Sequence, residues 1–134
     1  MDVIADTTFL VGLWRRQSWA VDFAASHRSY VLGIPWVALG EFWHGAVRAG
    51  HPEETVDRFL SLGIPLLDPA PVLRIYARTC AGLQQEEPAI YRSIGQHDLW
   101  IAATALQAKL PLLSRNLRHF DKIAGLEVIV PAGG

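Results

Sequence analysis

A parallel α/β sheet with helices on both faces is the fold class this sequence predicts, and three observations predict it. Short apolar, β-compatible runs alternate with longer runs of helical period. Proline or glycine stands at many of the junctions, as at Pro35, Gly50, Pro52 and Pro71. An apolar fraction of 51% in 134 residues is enough for one domain with a substantial core, spanning residues 1–134.

The elements follow in order. Val3-Ile4-Ala5 is a buried first strand ending at Asp6. Thr7-Thr8 is suited to cap a helix from Phe9 to about Arg16, and Ser18 to cap a second, reaching about Ala25. Tyr30-Val31-Leu32-Gly33-Ile34 reads as strand two, closed by Pro35. A helix runs on to about Ala49, with Gly50 at the position past its end. Pro52-Glu53-Glu54 opens a helix that continues to Leu62. Pro65-Leu66-Leu67-Asp68 is strand three, and Pro71 to about Gln85 a helix with apolar residues at Val72, Ile75, Tyr76 and Leu83. Glu86 to Ser93, interrupted by Pro88, reads as a loop. Gln96 to Ala108 is helical, Leu112-Leu113-Ser114 is strand four, Leu117 to Ile123 a short helical turn, and Glu127-Val128-Ile129-Val130 strand five. Pro131 to Gly134 reads as a loose tail.

Composition narrows the function. The formal net charge is −1, whereas a broad, non-specific polyanion binder is usually far more basic. Nucleic acid stays open as a substrate if metal ions and a few local arginines neutralise it. The single cysteine, Cys80, has no partner for an internal disulfide and reads as core, which fits a reducing compartment. Met1-Asp2-Val3 has no basic region or long apolar run behind it, so no signal peptide is expected. No apolar run approaches the ~20 residues of a membrane span. The expected location is the cytoplasm.

Three acidic residues stand where an ordinary domain places apolar ones. Asp6 ends Val3-Ile4-Ala5, Glu41 sits within Val37-Ala38-Leu39-Gly40-Glu41-Phe42-Trp43, and Asp98 opens Asp98-Leu99-Trp100-Ile101-Ala102-Ala103. An ionised carboxylate with apolar neighbours is costly to desolvate unless it is paired or binds a cation. Asp6 falls at the C-terminal end of strand one, the edge where open parallel sheets bind ligands. Asp98 shares a helical stripe with Ile101, Ala102 and Ala105. Glu41 is flanked by the small residues Ala38 and Gly45. Ser114 and Asn116 end strand four at the same edge. Such carboxylates suit Mg²⁺ or Mn²⁺, which polarises a phosphoryl oxygen and activates water. Each residue also has a plainer use: Asp6 and Asp98 as helix caps, Glu41 as a surface partner of Arg48, and Asn116 as a cap.

Taken in order, the motifs resemble the PIN-domain ribonucleases of the VapC toxin type. The blocks are Val3-Ile4-Ala5-Asp6-Thr7-Thr8, Glu41 within Val37–Ala46, Ile94-Gly95-Gln96-His97-Asp98-Leu99-Trp100-Ile101-Ala102-Ala103, and Leu112-Leu113-Ser114-Arg115-Asn116-Leu117-Arg118-His119-Phe120. The resemblance runs essentially end to end. It implies a five-stranded parallel sheet sandwiched by helices and a Mg²⁺ (or Mn²⁺) site. It also implies endoribonuclease activity that leaves 5′-phosphate and 3′-hydroxyl ends. Asp6, Glu41 and Asp98 match the family's three main carboxylates, and Asn116 the fourth position, which is Asp or Asn among members. Thr7 matches the supporting hydroxyl, Ser114 lies beside it, and Asp121 is the alternative fourth carboxylate. A VapB-like antitoxin and a homodimer are the implied partners.

Arg92, Arg115 and Arg118 are candidate contacts for single-stranded RNA, or ordinary solvated surface. Among five tryptophans, Trp14, Trp36 and Trp43 fall on the early helices, as packing or as anchors for a partner. His97-Asp98 resembles the pair of HD-domain phosphohydrolases. That fold is all-helical and needs further histidine ligands, whereas this chain opens with a strand. His44, His51 and His119 show no ligand-like spacing. A non-catalytic PIN-like module that binds RNA or protein is the rival reading, and hydrolysis of DNA or a small phosphoester a third.

Overall fold

The computed structural model describes residues 1–133. Five short strands form one sheet: β1 (Val3–Ala5), β2 (Leu32–Pro35), β3 (Ile64–Leu66), β4 (Leu112–Leu113) and β5 (Val128–Ile129). Every pairing is parallel, and the order across the sheet is β3-β2-β1-β4-β5. The chain therefore walks outward from β1 through β2 to β3, then returns to the far side of β1 to lay down β4. That reversal opens a crevice beyond the C-terminal ends of β1 and β4, the usual ligand position in such sheets.

Eight α-helices connect the strands among the described residues. They are α1 (Thr7–Trp14), α2 (Ser18–Ser26), α3 (Trp36–Arg48), α4 (Glu53–Leu60), α5 (Leu73–Glu86), α6 (Pro88–Ser93), α7 (Gln96–Ala108) and α8 (Leu117–Phe120). Because helices cover the central strands, β1 is buried along its whole length, as are Leu112 and Leu113 of β4. Helix α7 buries Leu99, Ile101, Ala102, Ala103, Thr104 and Ala105 and packs against α5 and β1. Two glycines have a clear geometric reason. A Cβ on Gly12 would sit 2.6 Å from the Trp19 ring, so α1 and α2 can approach here only without one. Gly50, at φ 76°, ends α3 in a Schellman turn: its N–H donates to Val47 O, and the His51 N–H donates to Ala46 O.

The alternation of strands and helices is as expected, but several boundaries differ. Helix α1 starts at Thr7, so Asp6 and not the threonine pair is its cap. Gln17 occupies the cap position of α2, and Ser18 is already helical. Tyr30 and Val31 are exposed and lie before β2. Strand β3 is Ile64–Leu66 in place of Pro65–Asp68; it is an edge strand, where a proline's missing N–H is tolerated. The segment expected as a loop at Glu86–Ser93 is helical: α5 runs on to Glu86, and α6 begins with Pro88. Proline at a first helical position lacks only a donor that the helix would not use. Cys80 is half-buried against the core rather than inside it. In the expected tail, Pro131 is buried; Gly134 lies outside the described residues.

Candidate active site

Asp6 follows β1 directly and, in extended conformation, caps α1. Its Oδ1 accepts the Thr8 N–H at 2.9 Å, and its Oδ2 accepts the Ser114 hydroxyl that closes β4. The Ser114 Oγ in turn accepts the Asn116 N–H at 2.9 Å. Asp6 is thus almost fully buried with both oxygens used. Burial pushes its carboxyl above the ordinary value of 3.8; the Ser114 and Thr8 bonds oppose this, and the Glu41 charge adds to it.

Glu41 reaches in from α3. Its Oε1 accepts the Thr7 hydroxyl at 2.7 Å, and its Oε2 lies 3.1 Å from His97 Nδ1. It is not a surface partner of Arg48. Asp98 lies in the first turn of α7, but the helix is capped three residues earlier by Gly95, so Asp98 is not the cap. Its side chain is 26% exposed. One of its oxygens accepts the Asn116 Nδ2 at 3.4 Å and lies 3.9 Å from His119 Nδ1. The carboxyl of Asp98 is pushed up to about 6, first by burial, then by the charges of Asp6 and Glu41; His119 and His97 pull the other way. Asn116 precedes α8 without capping it through its side chain, and its Nδ2 also lies 3.2 Å from His119 Nδ1.

The fold therefore gathers Asp6, Thr7, Glu41, Asp98, Ser114 and Asn116 around the crevice between β1 and β4. Asp121 is exposed at the end of α8 and makes none of these contacts. Of the arginines, Arg92 is exposed on α6 and not on a loop, Arg118 is exposed on α8, and Arg115 is exposed with its guanidinium 4.7 Å from the Trp19 ring centre. Trp14 and Trp43 are half-buried and Trp36 is exposed. The sequence reading missed His119. Its signal was its place three residues beyond Asn116 on α8, which brings the two side chains together. His97 is exposed and paired with Glu41.

Among the described residues, no three His, Cys, Asp or Glu side chains form a ligand set ready for an ion. The carboxylates are turned to the protein's own donors. The donor chemistry nonetheless fits a hard divalent cation: Asp6, Glu41 and Asp98 offer oxygen ligands only, and neighbouring carboxylate charge helps to raise the proton affinity of Asp6 and Asp98. No helix among the described residues is long and apolar enough to cross a membrane.

The PIN domain family model matches residues 3–126. "Ribonuclease VapC2" of Haemophilus influenzae is 25% identical over 124 residues, covering 90% of this chain and 91% of that protein. Among solved structures, VapBC2 from Rickettsia felis bound to a promoter DNA fragment aligns with a TM-score of 0.82 at 21% identity, covering 97% of this chain and 98% of that one. VapBC-1 from nontypeable Haemophilus influenzae aligns with a TM-score of 0.76 at 22% identity, covering 97% and 98%. With a five-stranded parallel sheet in this order and a family match over nearly its whole length, this chain belongs to the PIN domain family.

Proposed function

We propose that the chain acts as a single-domain, metal-dependent endoribonuclease, the toxin of a VapBC-type toxin–antitoxin pair. The observation that carries this reading is Asp98, held near 6 by burial and by two neighbouring carboxylates at a sheet's ligand-binding edge. A group perturbed by burial and like charges in a crevice marks a functional-site candidate, and a bound cation would relieve the repulsion that His119 and His97 offset only in part. The similarity to proteins called ribonuclease VapC supports the substrate class and reaction. Solved VapBC relatives support a VapB-like antitoxin as partner.

Asp6, Glu41 and Asp98 would hold Mg²⁺ or Mn²⁺. The bound ion supplies Lewis-acid polarisation of the phosphodiester and lowers the pKa of water. The chain's own residues set the stage for it. Ser114 and the Thr8 amide fix Asp6, so one carboxylate is in place before any ligand arrives. Thr7 aims Glu41, and Asn116 orients Asp98 and water while adding no charge. Water adds across the P–O3′ bond, leaving a 5′-phosphate and a 3′-hydroxyl. Arg92, Arg115 and Arg118 are the candidate phosphate contacts. Two copies of the chain form a homodimer in this reading, and the complex works in the cytoplasm.

The test is brief expression of the wild type and of Asp98→Asn, with sequencing of the RNA ends each produces. New 5′-phosphate ends in the wild type alone support the reading. No new ends from either protein would instead support the rival, a PIN-like module that binds without cutting, and the same new ends from both would remove Asp98 from the reaction.

A further inference from the structure

Beside the carboxylates lies a second feature that metal chemistry does not use. The N-terminal halves of α3 and α7 flank an open cleft of about 360 Å³, lined by Trp36, Gly40, Glu41, His44, Gln96 and Trp100 among others. Glu41 belongs to both the cleft and the acidic site, so a substrate held at one continues into the other. The cleft's apolar wall is a fixed aromatic platform. Trp100 is stacked on Tyr76 with centres 3.8 Å apart and planes 4° apart, and Trp36 is tilted against Trp100 at 5.8 Å. Trp36 is nonetheless 36% exposed. The same cleft is lined by groups with donors and acceptors: the exposed Gln96 amide and the His44 and His97 imidazoles.

Gly40 lines the same cleft. Glycine inside a helix is unfavourable relative to alanine. At Gly12 close packing explains it, but a Cβ on Gly40 would meet nothing within 4 Å. Gly45 and Gly82 are equally free of contacts, so what Gly40 contributes is its position: a large side chain there would project into the cleft.

Resting on the ribonuclease reading above, we propose that this cleft takes one unpaired nucleobase of the RNA, stacked on the Trp36–Trp100 wall next to Glu41. Single-stranded RNA is recognised by stacking splayed bases on aromatic rings and hydrogen-bonding their edges, and this cleft offers both. One base flanking the scissile phosphate would then be held by the domain itself, before any arginine contact.

The test uses short labelled single-stranded RNAs carrying one abasic nucleotide at each position in turn. Binding is measured by anisotropy to Asp98→Asn protein, so that nothing is cut, with and without Trp36→Ala. One abasic position should weaken binding on the order of tenfold. Trp36→Ala should cost as much on the intact RNA and nothing further on the RNA lacking that base. A flat abasic scan, or penalties that add, overturns the proposal. So does a Trp36→Ala protein with unchanged RNA binding and an altered oligomeric state, which would make the cleft an interface between copies. Gly40→Leu guards against a Trp36 variant that fails to fold. It should raise the thermal midpoint yet weaken binding of intact RNA, and intact RNA bound at full strength would sink the idea. Cleavage by the wild type, assayed in parallel, reports on the ribonuclease reading alone.

Discussion

Asp6 and Asp98 approach the same crevice and are held in opposite ways. Asp6 is almost fully buried, and both its oxygens accept hydrogen bonds from the first helix turn and the end of β4. Asp98 keeps a quarter of its surface exposed and has only the long Asn116 contact and a distant imidazole. One carboxylate is part of the fold's own hydrogen bonding. The other is left under like-charge repulsion. The difference teaches that an acidic site can divide its labour: one acid anchors the geometry, and another waits for the ligand.

Replacing each acid should separate the two roles. Asp98→Asn should lower RNA cleavage by at least on the order of 100-fold, because a ligand should matter no less than the partners that merely orient one. The same variant should keep or raise its thermal midpoint in EDTA, since a neutral amide removes repulsion. An Asp98→Asn protein that unfolds in EDTA would show that the residue is structural. Asp6→Ala should lose activity to a similar extent and also lose about 2 kcal/mol of stability. A missing N-cap costs about 1 kcal/mol, and an unpaired Ser114 hydroxyl adds to it. Urea denaturation reads this directly; a loss equal to that of Asp98→Ala would erase the contrast.

Asn116→Asp sharpens the comparison from the other side. An added charge beside Asp98 should tighten Mn²⁺ binding on the order of tenfold by calorimetry, because affinity follows ligand charge. It should lower the midpoint in EDTA at the same time. Unchanged affinity would mean that Asn116 plays no part at the metal.

The smallest effect is the pH dependence. In the folded protein Asp98 titrates at about 6 against an ordinary 3.8. The folded state keeps a proton that the unfolded chain has already released, so metal-free stability falls as pH rises through that window. From about pH 4 to about pH 6.5, the wild-type midpoint in EDTA should drop by a few degrees relative to Asp98→Asn. Parallel curves would remove the case for a perturbed Asp98.

Much of this was legible in the residues because apolar periodicity and acidic interruptions are local signals. Asp6, Glu41 and Asp98 stood out, since a charge amid Val, Ile, Trp and Ala needs a reason. What escaped the sequence depends on three-dimensional context. Pro88 reads as a breaker in a linear scan, yet at a first helical position it starts α6. Strand three, expected at Pro65–Asp68, lies at Ile64–Leu66 because its bounds follow its pairing with β2. His119 joins the cluster only because α8 turns it beside Asn116 and Asp98. No spacing rule applied to the histidines alone would find it.

The hydrogen bond from Ser114 to Asp6 spans 108 residues. Synthesis runs from the N-terminus, so β1, β2 and β3 leave the ribosome while the partner of Asp6 is not yet made. The crevice beside β1 has no second wall until β4 arrives, and contacts between distant segments form late. A chain that stops short of β4 therefore carries three of the five strands, and as many as all three acids, without an assembled centre. If the chain cleaves RNA as proposed, a fragment that stops before β4 should not cleave it, whichever of the acids it carries.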